Sequence, residues 1–365
     1  MRITRLTIAG LRNLQPTDLR PGPGLNVLVG PNGAGKTSVL EALHLLAYGR
    51  SFRGRVRDGL VRTGRDALEV FAEWDEPGGR IRRAGLRHAG QTWSGRLDGA
   101  SVSQLGELCA ALAALTFEPG SHALISGGGE TRRRYLDWGL FHVEPDFLGL
   151  WRRYGRALKQ RNALLKLRAG VDQFQVWDQE LAEMGEALTA RRELYLDGLQ
   201  PRLRAASGEL APGLGEAAFA FQPGWRREQL SLADALLLAR ERDLVTGFTS
   251  VGPHRADWRI THAQRPDQEA LSRGQGKLTA LAALLAQAED FAARRGQWPL
   301  VLLDDLASEL DLPHQRRLLQ RLRASDAQVF ITGTEVPLAL AGTGFDLFHV
   351  EQGKVLHAEG GSLQH

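Results

Sequence analysis

The chain has 365 residues, 43% hydrophobic and 24% charged, a balance typical of folded domains and a length that favours two units with sizeable cores. With 46 Lys and Arg against 42 Asp and Glu the net charge is only +4, so any polyanion-binding surface has to arise from local clustering. The single cysteine, Cys109, excludes an internal disulfide and a cysteine-built zinc site, which fits a reducing cytoplasm, and no apolar run reaches the roughly 18 residues of a membrane helix.

Met1-Arg2-Ile3-Thr4-Arg5 leads into a strand carrying Ile3, Leu6 and Ile8 rather than into a signal-peptide core. Leu11-Arg12-Asn13-Leu14 then reads as a turn that exposes Arg12. Leu25, Val27, Leu28 and Val29 form a short apolar run, the pattern of a buried strand. It feeds Gly30-Pro31-Asn32-Gly33-Ala34-Gly35-Lys36-Thr37, which fills every position of the P-loop pattern G-x-x-x-x-G-K-[ST]. A helix is predicted from Lys36 to Ala47, with Val39, Leu40, Leu43 and Leu46 on one face.

Strand, glycine loop and helix N-terminus aim backbone N–H groups and a helix dipole at one point, which suits a phosphate chain. Lys36 is expected on the β- and γ-phosphates of ATP and the Thr37 hydroxyl on Mg²⁺, with Ser38 closing the loop. The alternative, a glycine turn that binds nothing, conflicts with the agreement of all the fixed letters and both flanking elements.

Further on, Tyr48-Gly49-Arg50-Ser51-Phe52-Arg53-Gly54 is a polar loop, either solvated or offering arginines to the ligand. Alternation at Val70, Ala72 and Trp74, and at Trp93, Gly95 and Leu97 before an Asp98-Gly99 turn, predicts antiparallel strands. The neighbours Leu105, Leu108 and Leu112 make Cys109 an expected buried small hydrophobe.

From about residue 119 long helices are predicted, one over Trp151 to Leu167 and one over Val176 to Leu199, with Pro201, Pro212 and Pro223 breaking the chain afterwards. Ser231 reads as the cap of a helix ending near Arg240. Between Thr131 and Gly170 ten basic residues face only Asp137, Glu144 and Asp146. Such a segment is a DNA surface, with Arg156 and Arg161 as exposed contacts, or else a solvated face or a set of arginines paired with the acidic groups of another protein. Aromatic residues there are too few for a single-strand stacking platform.

Near the C-terminus, Leu300-Val301-Leu302-Leu303-Asp304-Asp305 reads as a central strand ending in two carboxylates. Asp304 is expected to hold the metal and Asp305 to orient or deprotonate the attacking water. Leu271-Ser272-Arg273-Gly274-Gln275 opens another long helix, with Ser272 at its N-cap. That helix end is either an ordinary cap or a second phosphate site.

Ser272, Gly274 and Gln275 resemble the signature motif of ABC-type ATPases, and Ala307-Ser308-Glu309-Leu310-Asp311 resembles their D-loop. Val329-Phe330-Ile331-Thr332-Gly333-Thr334 resembles their switch strand. More specifically, the chain resembles the RecF family, recombination mediators with SMC-like heads. The match rests on Leu11-Arg12-Asn13, Gly49-Arg50-Ser51-Phe52-Arg53, Arg132-Arg133-Arg134-Tyr135-Leu136-Asp137, Leu158-Lys159-Gln160-Arg161-Asn162, Gly252-Pro253-His254-Arg255 and Leu303-Asp304-Asp305-Leu306.

The resemblance implies an α/β fold: a P-loop ABC-type ATPase head with a mixed β-sheet over 1–118 and 246–365, and an inserted, mainly helical lobe over 119–245. It implies ATP-dependent dimerisation, with Arg12, Ser272, Gly274, Gln275 and Asp311 joining the P-loop at the nucleotide. It further implies DNA binding at single-strand/double-strand junctions, work with RecR and RecO in loading RecA, and a cytoplasmic, nucleoid-associated location. Two positions depart from ABC transporters: Asp305 stands where their catalytic Glu does, and Thr334 stands roughly where their switch His does. Asp is one methylene shorter than Glu, so slow hydrolysis is expected.

Two other readings compete. The ATPase subunit of a membrane transporter predicts a compact head, at odds with the long basic segment between Lys36 and Ser272. A P-loop kinase for a small acceptor leaves the helix after Ser272 without a role.

Overall fold

The computed structural model describes residues 1–54, 59–265 and 271–361. The chain divides into two compact units, one of 1–121 with 291–365 and one of 122–290.

The first unit opens with β1 (Arg2–Ala9), β2 (Thr17–Leu19), β3 (Leu25–Val29) and the P-loop helix α1 (Lys36–Tyr48). It continues through β4 (Ala67–Asp75), β5 (Ile81–Ala89), β6 (Thr92–Leu97), β7 (Ala100–Ser101), α2 (Gly106–Ala111) and β8 (Ala114–Phe117). The predicted Asp98-Gly99 turn joins β6 to β7 with both residues at positive φ, 50° and 88°, the combination a tight hairpin needs. Cys109, on α2, is half-buried rather than buried, and burial pushes its thiol up to about 11.

The second unit holds α3 (Ala123–Ser126), α4 (Gly129–Val143), α5 (Phe147–Leu167), α6 (Gln175–Leu210), β9 (Ala217–Gln222), α7 (Leu232–Thr246) and β10 (Asp257–His262). The helix α8 (Arg273–Arg295) carries the chain across the division at 290. The first unit is completed by β11 (Leu300–Leu303), α9 (Leu306–Glu309), α10 (Leu312–Arg323), β12 (Val329–Gly333), β13 (Phe345–Glu351) and β14 (Lys354–Gly361).

Two six-stranded sheets build the first unit. One is antiparallel throughout, in the order β2-β1-β4-β5-β6-β7; the other is mixed, in the order β14-β13-β3-β12-β11-β8, with only β14 antiparallel to its neighbour. All five residues of β3 are buried, as are all four of β11. Strands covered on both faces have no need of alternation, so both read as continuous apolar runs. Between the sheets lies α1, packed on β8 and β12 of one and on β4 and β5 of the other, which is why eleven of its residues are buried instead of a single stripe.

The second unit ends at 290, well past the 245 expected from sequence. Residues beyond 245 pack among its helices: Trp258 Nε1 donates to the Arg132 carbonyl at 2.7 Å, Tyr135 Oη to the Ala283 carbonyl at 2.8 Å, and Gln287 Nε2 to the Tyr135 carbonyl at 2.8 Å. Pro201 does not break the chain either. It lies inside α6, where Leu199, Leu203, Ala206 and Leu210 extend the buried stripe and outweigh the one lost backbone bond. Ser231 caps α7 as expected, its Oγ accepting from the Asp234 N–H at 3.1 Å, and α7 continues to Thr246.

The basic segment separates into two classes. Arg161 is not exposed: with Tyr154, Ala157 and Leu165 it falls on the buried face of α5, and its side chain is 0% accessible. It donates to Asp178 Oδ1 and Asp243 Oδ2, both at 2.7 Å, and to Thr249 Oγ1 at 2.9 Å. Arg132 is likewise buried against Asp257, and Arg192 bridges Asp137 and the Pro253 carbonyl. Arg156, Lys159 and Lys166 lie on the exposed face of α5, and among the described residues none of them has an ion-pair partner.

Removing one partner of a buried ion pair strands the other in low dielectric. Arg161→Ala is therefore expected to destabilise the helical unit by about 3–5 kcal/mol, whereas Arg156→Ala leaves the denaturation midpoint where it was. Chemical denaturation followed by circular dichroism checks both, and equal midpoints for the two variants would remove Arg161 from the core.

Candidate nucleotide-binding site

The P-loop wraps the N-terminus of α1 and forms one wall of a cavity of about 850 Å³. The loop is shaped by glycines that nothing else could replace. Gly30 has φ 153°, and a Cβ there would fall 2.0 Å from the Val350 carbonyl oxygen; Gly35, at φ 115°, would press on Leu14 at 2.8 Å. Lys36 Nζ donates to the loop's own carbonyls, Gly30 O at 2.7 Å and Pro31 O at 2.9 Å. Burial lowers the Lys36 pKa, and the nearby carboxylates of Asp305 and Asp304 oppose that shift. Ala34 fastens the loop from below, its carbonyl accepting from the Gly353 N–H at 2.9 Å.

At the end of β11, Asp304 Oδ1 accepts two hydroxyls, Thr37 Oγ1 at 2.8 Å and Thr332 Oγ1 at 2.7 Å. Burial raises the Asp304 pKa; the two hydroxyl bonds oppose the rise and the adjacent Asp305 adds to it. Asp305 follows in the left-handed region at φ 52°, held there by its N–H donating to Thr332 Oγ1 at 2.8 Å, and it lines the same cavity. The Thr37 hydroxyl and the Asp304 carboxylate are hard oxygen donors that already meet, so the pair fits Mg²⁺.

Behind the cavity wall stands a buried carboxylate that the sequence alone did not single out. Glu41, one turn into α1, is 0% accessible and holds Arg12 by a two-pronged ion pair, Nε to Oε2 at 3.1 Å and Nη2 to Oε1 at 2.8 Å. It also accepts the Ser51 hydroxyl and lies 3.6 Å from Arg53 Nη1. Arg12 and Arg53 thus reach the cavity from different loops and share one buried carboxylate. Asn13 lines the cavity too, its Nδ2 donating to the Gly33 carbonyl at 2.6 Å. The available signal for Glu41 was that it is the one acidic residue of α1. Thr332 had none, being one polar letter inside a buried strand.

Of the predicted residues, Arg12, Asn32, Gly33, Gly35, Lys36, Thr37, Ser38, Asp304 and Asp305 line the cavity. Thr334 does not. It lies past the end of β12, exposed, where the chain has already turned away; Thr332, two residues earlier, points at the carboxylates instead. Asp311 is exposed and caps α10, accepting from the His314 N–H at 3.0 Å. Ser272 and Gln275 form a reciprocal cap at the start of α8, Gln275 N–H to Ser272 Oγ at 3.2 Å and Ser272 N–H to Gln275 Oε1 at 3.0 Å, while Gly274 is exposed, and a Cβ there would lie 4.0 Å from Ser272 Oγ.

The model of the RecF/RecN/SMC N-terminal domain family matches residues 2–354. The chain belongs to the RecF family. It is 64% identical to the DNA replication and repair protein RecF of Stenotrophomonas maltophilia, over 98% of this chain and 99% of that protein. It is 39% identical to the protein of the same name from Shewanella baltica, over 97% and 99%. Among solved structures it is similar to the recombination mediator protein RecF-ATP of the RecFOR pathway, with 26% identity, a TM-score of 0.88, and coverage of 98% of this chain and 97% of that one. An Smc head bound to the C-terminal winged-helix domain of ScpA, 14% identical with a TM-score of 0.60 over 100% and 98% of the two chains, shares the fold.

Asp304→Asn keeps an oxygen for both threonines while removing a desolvated charge. The variant is expected to melt higher than its parent without nucleotide and to lose Mg²⁺-dependent ATP hydrolysis by about a hundredfold or more. Thermal melts with and without Mg²⁺ and ATP read both effects; a lower melting point in the nucleotide-free variant would contradict the account of Asp304.

Proposed function

We propose that this chain is an ATP-gated DNA-binding protein of replication and recombinational repair, in which slow hydrolysis opens a clamp formed by two copies. The observation that carries the nucleotide reading is the Asp304 carboxylate, tied to the P-loop through Thr37 and to the neighbouring strand through Thr332. Full-length similarity to proteins named for DNA replication and repair supports the setting.

Lys36 leaves two neutral carbonyls for the charged oxygens of ATP, a stronger acceptor set for an ammonium. Thr37 and Asp304 would hold Mg²⁺, which would supply neutralisation of the phosphate charge. Asp305 orients the attacking water and accepts its proton, while Arg12 and Arg53, steadied by Glu41, contribute positive charge on the phosphate side. The Asp305 side chain is short, so turnover is slow and ATP acts as a switch, with DNA raising the rate.

Ser272 and Gly274 serve the γ-phosphate of a second copy, and Asp311 joins the same interface. ATP is then the adhesive of a two-fold dimer, and ADP lacks the group that is read. The exposed stripe Arg156, Lys159 and Lys166 meets DNA phosphates. Loading of RecA at single-strand gaps with RecR and RecO is the role in the cell, at the nucleoid. No helix among the described residues is long and apolar enough to cross a membrane.

Sedimentation with ATP and Mg²⁺ tests the switch. Lys36→Met is expected to fold yet stay monomeric without hydrolysis; Ser272→Arg is expected to bind ATP yet fail to dimerise, and mixing the two chains to recover part of the activity through one complete site. A Ser272→Arg protein that dimerises as well as its parent would show that the signature does not bridge chains. For DNA, replacing Arg156 or Lys159 by Ala is expected to lower the log–log salt slope by about one unit each. Slopes equal to the parent's would move the DNA surface off α5.

A further inference from the structure

The motif Gly252-Pro253-His254-Arg255 takes no part in the nucleotide cavity, and its surroundings show what it holds. Burial pushes His254 down to about 4, so the imidazole is neutral. It donates from Nε2 to the Thr249 carbonyl at 2.9 Å and accepts the Tyr154 hydroxyl at Nδ1, 2.6 Å away. Thr249 is fastened to α5 as well: its N–H and Oγ1 donate to Asn162 Oδ1 at 2.8 and 2.7 Å. On the other side Gly247, at φ 75°, ends α7, and the Lys166 stem passes 3.7 Å from where a Cβ on Gly247 would lie.

Phe248 stands between these two fixed points and is 43% exposed. An apolar residue just after a left-handed glycine commonly packs back on its own helix. Phe248 carries the Arg255 guanidinium 5.1 Å from its ring centroid, and its chain neighbours Gly247 and Thr249 lie against Lys166 and Asn162 of α5. A half-exposed aromatic ring backed by a cation, on a segment fastened to a helix that displays Lys159 and Lys166, is a combination that suits a nucleic-acid base attached to a phosphate backbone.

Attraction of phosphate to the α5 stripe is blind to base pairing, because it arises from counterion release. An unpaired base differs in having a free π face. Resting on the DNA-binding reading of α5, we infer that Phe248, buttressed by Arg255, is a stacking platform for an unpaired base in DNA whose backbone follows α5. Bases inside a duplex are already stacked on each other and gain nothing there, so the platform biases the protein toward gaps and single-strand/double-strand junctions.

The test uses the full chain with ATP and fluorescence anisotropy on two labelled DNAs, a blunt duplex and the same duplex carrying a single-stranded gap. Phe248→Ala is expected to lower the gapped-to-duplex affinity ratio about tenfold, an amount typical of one lost base–aromatic stack. Phe248→Trp restores the ratio, and Phe248→Leu, apolar without a π face, does not. Because Phe248 is half-exposed, retained ATP binding certifies that each variant is folded. An Ala variant that weakens both DNAs equally, or a Leu variant that keeps the preference, would overturn the platform while leaving the α5 surface intact. A parent chain that binds neither DNA would instead overturn the functional reading itself.

Discussion

The Asp304 carboxylate is the point on which the nucleotide site depends. It lies at the C-terminal end of a fully buried strand, is itself buried, and stands next to a second carboxylate. Left alone, such a charge would be driven to protonate. Two hydroxyls oppose that, one from α1 and one from β12, so the same two bonds that stabilise the charge also fix the P-loop helix against two strands of the mixed sheet. The compensation is partial, since the pKa remains raised, and a carboxylate in that state gains most from an arriving cation. Fold and metal preference therefore have one electrostatic origin.

A second buried carboxylate organises the opposite wall. Glu41 is carried into the interior by α1, which is enclosed between two sheets and has no solvent face to offer it. Arg12 from one loop and Arg53 from another converge on it, with Ser51 between them. Loops that would otherwise be free to wander are tied to a rigid helix, and both arginines line the cavity. Deeper in α1, His44 stacks on Tyr48 at 4.1 Å and meets Thr116 Oγ1 at 2.9 Å, and its burial lowers its pKa to about 3, so this end of the helix stays neutral and packed.

In the helical unit the arginines do two different jobs. Arg132, Arg161 and Arg192 are desolvated and matched with Asp257, Asp178 and Asp243, and Asp137. Buried pairs of this kind add little net stability but penalise every arrangement that separates them, which sets how the helices and the 249–257 segment are aligned. Once those pairs are formed, Arg156, Lys159 and Lys166 are left exposed on one face of α5 without an ion-pair partner among the described residues, and the segment after α7 is fastened to the same helix through Thr249 and Asn162.

The sequence by itself determined the P-loop, its strand and helix, the carboxylates after β11, the capped start of α8 and the family. These are local features: a glycine pattern, an apolar run or a cap is written in consecutive residues, because backbone conformation and phosphate binding act over a few positions. Tertiary structure decided which charges are available. Arg161 and Arg156 are five residues apart on one helix and equally basic, yet one is a core ion-pair partner and the other is exposed, since α5 turns them to opposite faces and Asp243 arrives from far along the chain. Thr332 on the Asp304 carboxylate, Glu41 as the anchor of two arginines, and Gly247 against the Lys166 stem follow the same rule. Each depends on contacts between residues distant in sequence, and burial, which sets the free energy of every charge, exists only after the chain has folded.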